Sequence, residues 1–95
     1  MKKVNLVDVR TVEEYNYDPL PNTINIPLND FPNKLDQLRD LQPLMVFCSS
    51  GVRSKKAIDI LVANDIFVAE NGGGLINIKD KINNIYKASN LYPNE

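Results

Sequence analysis

The sequence predicts an α/β layered domain built on a small, mainly parallel sheet of about four strands. Three observations point there. Short apolar, β-branched runs alternate with segments of helical period along the chain. One run, Leu44-Met-Val-Phe47, is hydrophobic at every position, as a strand buried on both faces of a parallel sheet requires. The 95 residues fit one compact domain, 1–95, with no linker or repeat to divide them.

Asn5-Leu-Val-Asp-Val9 is a short apolar run bounded by charge and reads as the first strand. Thr11, with Glu14 three residues later, has the capping-box pattern and opens a short helix through Tyr15. Pro19, Pro21 and Asn22 enforce a turn-rich loop. Thr23-Ile-Asn-Ile26 is a second short strand, ended by Pro27. From Asp30 the period changes: Phe31, Leu35 and Leu38 share one face of an amphipathic helix that reaches about Arg39.

Pro43 closes that connection, and the third strand, Leu44–Phe47, runs directly into Cys48. Ser49-Ser50-Gly51 is a turn. Ala57, Ile58, Leu61 and Val62 then repeat at helical spacing, and Asn64-Asp65 supplies a stop. Ile66-Phe-Val-Ala69 reads as the fourth strand, and Gly72-Gly73-Gly74 as a turn. Ile76, Ile78, Ile82, Ile85 and Tyr86 suit a helix or helix pair to about Ser89.

Composition excludes several classes of function. Eleven basic residues nearly balance twelve acidic ones, so nothing pulls the chain toward nucleic acid or an anionic membrane. The lysine pairs Lys2-Lys3 and Lys55-Lys56 read as solvated faces. The apolar start is broken at Asp8, short of a signal-peptide core, and no stretch is long enough to span a membrane, so the cytoplasm is the expected location. The chain has no histidine, which removes Ser-His-Asp and Cys-His catalysis. A single cysteine permits neither an internal disulfide nor a cysteine zinc site.

Any cysteine chemistry must therefore run without an imidazole base. The segment Val46-Phe-Cys48-Ser-Ser-Gly51-Val-Arg53-Ser54 places a thiol between a buried strand and the start of a helix. Successive amides of a tight loop form an anion-binding concavity, and the helix adds its positive end. Both favour thiolate over thiol. Gly51 permits a positive φ where the loop turns, Ser50 or Gly51 can cap the helix, and Arg53 adds a fixed charge. The residue types alone leave open a small buried hydrophobe in the role of Cys48.

Cys48-x4-Arg53-Ser54, with Gly51 inside, resembles the active-site loop of rhodanese-like domains. Leu6-Val-Asp8-Val-Arg10-Thr-Val-Glu13-Glu14-Tyr15 resembles that family's early strand and helix, Ile24-Asn-Ile-Pro-Leu28 its next strand, and Gly73-Gly74 its late glycine pair. Three departures stand out: Asp18-Pro-Leu-Pro-Asn-Thr23 where Gly-His-Ile-Pro-Gly-Ala is usual, Asp65 where a glycine is common, and Ile78 where a tryptophan is frequent. The resemblance implies a three-layer α/β/α fold. It also implies a sulfurtransferase whose Cys48 takes sulfane sulfur from a donor, holds it as a persulfide and passes it to a thiol or cyanide. Ser49, Ser50, Gly51, Val52 and Arg53 would form the anion-binding loop, with Asp8, Arg10 and Ser54 supporting it.

Donors of that chemistry are thiosulfate, glutathione persulfide or a polysulfide, and acceptors are thiols, a protein thiol among them. The loop's modest charge argues for a persulfide or polysulfide over dianionic thiosulfate. Asp8, Arg10, Glu13 and Glu14 read as a network fixing the loop, and Arg53 as either an ion-pair partner or a substrate contact. The tyrosines Tyr15, Tyr17, Tyr86 and Tyr92 read as packing residues. No metal or organic cofactor is implied. Three other functions compete: a non-catalytic carrier or docking module, a thiol redox sensor capped by an external thiol, and a cysteine phosphatase. The phosphatases resemble Cys-x5-Arg, a loop one residue longer, whereas six residues after Cys48 this chain has Ser54.

Overall fold

The structure, a computed structural model, describes residues 4–80. Its strands are β1 (Asn5–Asp8), β2 (Ile24–Asn25), β3 (Leu44–Cys48) and β4 (Ala69–Gly74). They pair in the order β2-β1-β3-β4, every neighbouring pair parallel. Parallel neighbours need crossover connections, here carried by α1 (Val12–Tyr17), a 3-10 turn (Leu28–Asn33) with α2 (Leu35–Asp40), and α3 (Val52–Ala63). Residues 75–80 are helical as well.

The pleat of β3 explains the layers. Side chains alternate between faces along a strand. Leu44, Val46 and Cys48 join Val7, Leu38, Ala57 and Leu61 in one buried cluster, on the side of α2 and α3. Met45 and Phe47 point the other way, to Leu6, Leu20, Leu75 and Ile78. Both faces are covered, which gives the three-layer α/β/α fold. Ile78, in the position where tryptophan is frequent, is itself fully buried in the second layer.

Three elements depart most from the sequence reading, while β1, α1 and β3 differ from it by one or two residues at their ends. The second strand shrinks to Ile24–Asn25, since the Thr23 hydroxyl turns back to the Leu20 carbonyl and Pro27 stops the chain beyond Ile26. The helix from Asp30 divides at Lys34 into the 3-10 turn and α2, because Pro32 inside the first part brings no amide to an α-helical ladder. The fourth strand is shifted from Ile66–Ala69 to Ala69–Gly74, and the glycine run is strand rather than turn.

Helix α3 is the reason for that shift. It ends in a Schellman motif: the Ile66 amide donates to the Leu61 carbonyl at 2.9 Å and the Asp65 amide to Val62 at 3.1 Å. Ile66 is thereby a helix-capping residue packed in the core, not a strand residue. Asp65 takes the left-handed conformation, φ 62°, where a glycine is common. The expected helix or helix pair to Ser89 lies mostly outside the described residues, and Lys2, Lys3, Tyr86 and Tyr92 lie wholly outside them.

Candidate active site

Cys48 ends β3 at the carboxyl edge of the sheet, where open α/β sheets bind ligands. The chain turns there through Gly51, whose φ of 98° only glycine adopts without strain. Gly51 is the residue that caps α3, and no side chain assists it. The turn folds the amides back over the sulfur: Gly51 N–H donates to Cys48 Sγ at 2.9 Å and Ser54 N–H at 3.4 Å. Cys48 itself is wholly buried.

Burial pushes the Cys48 thiol up, but the amide and hydroxyl of Ser54 and the amides of Gly51 and Ser50 pull it down, and the net shift is downward. Hydrogen bonds to the charged form thus outweigh desolvation. The loop's donors lower the thiol's pKa with no imidazole beside it.

The residues expected at the site divide by what they touch. Ser50, Gly51 and Ser54 act on the sulfur, with Ser54 contributing more directly than its supporting role suggested. The amides of Ser49, Val52 and Arg53 do not hydrogen-bond Sγ, and the Val52 side chain points into solvent. Ser49 faces outward, its hydroxyl 3.3 Å from Glu14 Oε2.

The expected network of early charged residues is two separate devices. Arg10 closes on Asp8 through Nε and Nη2, the shortest contact 2.7 Å, and both residues are buried. The hydrogen bond to Asp8 raises the Arg10 guanidinium further above its ordinary value. Arg10 Nη2 also donates to the Asp18 carbonyl, which fixes the exit of α1. Glu14 belongs to the second device. Its capping box with Thr11 places it on the first turn of α1, and its carboxylate grips Arg53, Nη1 to Oε1 at 2.6 Å and Nη2 to Oε2 at 3.0 Å. Arg53, then the Thr11 amide, hold the Glu14 carboxyl far below the usual carboxylate range. Glu13 is exposed, and Tyr17 almost entirely so.

Two further residues were not legible as functional. Asn71, on β4, accepts from the Ser54 hydroxyl at 2.8 Å and from the Gly73 amide at 2.8 Å. It ties the first turn of α3 to the neighbouring strand. Gly74 forms the wall behind the loop, pairing as an isolated bridge with Ser50. Asn71 carries no motif of its own, so only pairing with β3 could have found it.

The sequence model of the Rhodanese-like domain family matches residues 1–81, and the chain belongs to that family. Among its relatives, it is 32% identical over 80 residues to PspE, a thiosulfate sulfurtransferase of Escherichia coli (strain K12), covering 76% of this chain and 71% of that protein. It is 32% identical over 56 residues to YrkF, a proposed sulfur carrier protein of Bacillus subtilis (strain 168), covering 59% of this chain but only 30% of the relative. A crystal structure of a rhodanese-like domain protein from Staphylococcus aureus superimposes with a TM-score of 0.71 at 35% identity, over 81% of this chain and 76% of that one.

Proposed function

We propose that this chain is a sulfurtransferase that carries sulfane sulfur on Cys48 as a persulfide. The observation that carries this reading is the pair of amides, Gly51 and Ser54, directed at a sulfur whose pKa is lowered. The Cys48 thiolate attacks the outer sulfur of a donor, the donor's sulfur–sulfur bond breaks, and sulfite or a thiolate leaves with the bonding pair. An acceptor thiolate or cyanide then attacks that outer sulfur, and Cys48 departs as thiolate. Gly51 and Ser54 stabilise the cysteine sulfur in both steps. The Ser50 amide adds to that stabilisation, the amides of Ser49, Val52 and Arg53 are assigned to the outer sulfur, and Asp8 with Arg10 hold the segment that presents Glu14. Donors are thiosulfate, glutathione persulfide or a polysulfide, and the acceptor is a small or protein thiol. A free thiolate suits a reducing compartment, for which the cytoplasm is our assignment.

Intact mass before and after incubation with each donor tests the reading, with Cys48→Ser as control. A gain of one sulfur atom, absent in the variant and discharged by cyanide or a thiol, is expected. No gain at Cys48 with any of the three donors would overturn it.

The complete burial of Cys48 favours one second reading, a carrier that exchanges sulfur slowly. Loading that succeeds while multiple turnover stays near the uncatalysed rate would select it.

A further inference from the structure

Arg53 is the one cation of the segment Cys48–Arg53, and both of its terminal nitrogens are engaged by Glu14. Basic residues of the surrounding elements are paired too: Arg10 with Asp8, Lys55 with Asp59 at 3.7 Å and Lys79 with Asp18 at 3.3 Å. Lys56 lies apart, lining a shallow groove with Leu28, Pro32 and Ile60. Among the described residues, then, the loop has amide dipoles to offer an anion but no uncommitted guanidinium.

We propose that Glu14 is a specificity-determining residue: by neutralising Arg53 it steers the loop toward donors that release a singly charged thiolate, and away from thiosulfate, which releases dianionic sulfite. The inference rests on the sulfur-transfer reading above and names its donor class. A persulfide attacked in its protonated form brings no charge to the reacting atoms; Cys48 gains an S–SH group and the donor leaves as thiolate. Thiosulfate brings two negative charges to a thiolate; Cys48 gains an S–S⁻ group and sulfite leaves with two. The dianion feels any local potential twice over, so an unneutralised Arg53 matters more to it than to a persulfide. The side chains of Arg53 and Glu14 are about one-third exposed, and solvent screening limits the discrimination to roughly tenfold rather than thousands.

The test compares kcat/KM for thiosulfate and for glutathione persulfide in three proteins: wild type, Glu14→Gln, and the double variant Glu14→Gln with Arg53→Gln. Glutamine keeps the capping box of α1, so the first variant retains its helix. Wild type is expected to favour the persulfide. Glu14→Gln should raise the thiosulfate-to-persulfide ratio about tenfold, more at low salt, and the charge-balanced double variant should restore the wild-type ratio. A wild type that prefers thiosulfate, a ratio unmoved by Glu14→Gln, or a rise that persists in the double variant would each overturn the assignment to Glu14 while leaving sulfur transfer intact. Failure of wild type to load from thiosulfate, glutathione persulfide or a polysulfide would overturn sulfur transfer itself, and this inference with it.

Discussion

Gly74 stands directly against Ser49: a Cβ added to Gly74 would lie 2.9 Å from the Ser49 carbonyl oxygen. That oxygen cannot retreat freely, because the Leu75 amide donates to it at 3.1 Å. The carboxyl end of β4 is thus a mould for the Cys48 loop. Gly74→Ala should lower stability by about 1–3 kcal/mol through overpacking, and slow sulfur loading of Cys48 by displacing the loop. Urea unfolding and single-turnover loading measure the two effects, and loading at the wild-type rate would show that the loop does not depend on this contact.

The pH dependence of Cys48 follows from the direction of its shift. Its folded pKa is depressed by the Ser54, Gly51 and Ser50 donors. A depressed group contributes stability that is fully present above its unfolded value, ~8.5, and is lost as pH falls through the folded value. The ultraviolet absorbance of the thiolate should therefore persist below the pH at which a free cysteine loses it. Ser54→Ala removes one of the donors, should move that titration upward, and should cost about 1 kcal/mol in stability. A titration that stays at the free-cysteine value in wild type would remove the electrostatic account of the site.

Asp8 and Arg10 form a buried pair with relative side-chain exposures of 0% and 3%. Breaking such a pair from one side leaves an uncompensated buried charge, at about 3–5 kcal/mol. Small domains hold a total of only ~5–15 kcal/mol. Asp8→Asn should therefore remove a large share of the stability and lower the thermal midpoint by roughly 10–40 °C. A shift of only a few degrees would mean that the pair is better solvated than its geometry implies.

Asp65 offers a change in the opposite direction. It holds φ 62° at the C-terminal cap of α3, where a side chain crowds the backbone. Asp65→Gly relieves that crowding but loses backbone entropy on folding, for a net gain of about 0.5 kcal/mol. The urea midpoint should rise by a few tenths molar on a typical slope of ~1–3 kcal/mol per molar. A lower midpoint would show that the Asp65 carboxylate makes a stabilising interaction.

The misplacement of the fourth strand is instructive. Phe67 and Val68 made the best local strand, yet both are exposed, while the strand that pairs with β3 is Ala-Glu-Asn-Gly-Gly-Gly. Local hydrophobicity was outweighed by backbone pairing and by the need for small residues behind the loop. A register shift between Val46 and Phe47 lets the glycine-rich strand follow β3 to its end.

By itself the sequence determined the order of strands and helices, the capping box at Thr11 and Glu14, and the position of Cys48 between a buried strand and a helix. Those features are local: periodicity, capping and turn chemistry act over a few residues, so a linear reading reaches them. Only the tertiary structure decided that Glu14 meets Arg53, 39 residues away, that Asn71 meets Ser54 across 17, and that Gly74 shapes the loop. Contacts of that kind depend on which strands lie side by side, and the parallel order β2-β1-β3-β4 brings their carboxyl ends, and so these residues, to one edge of the sheet.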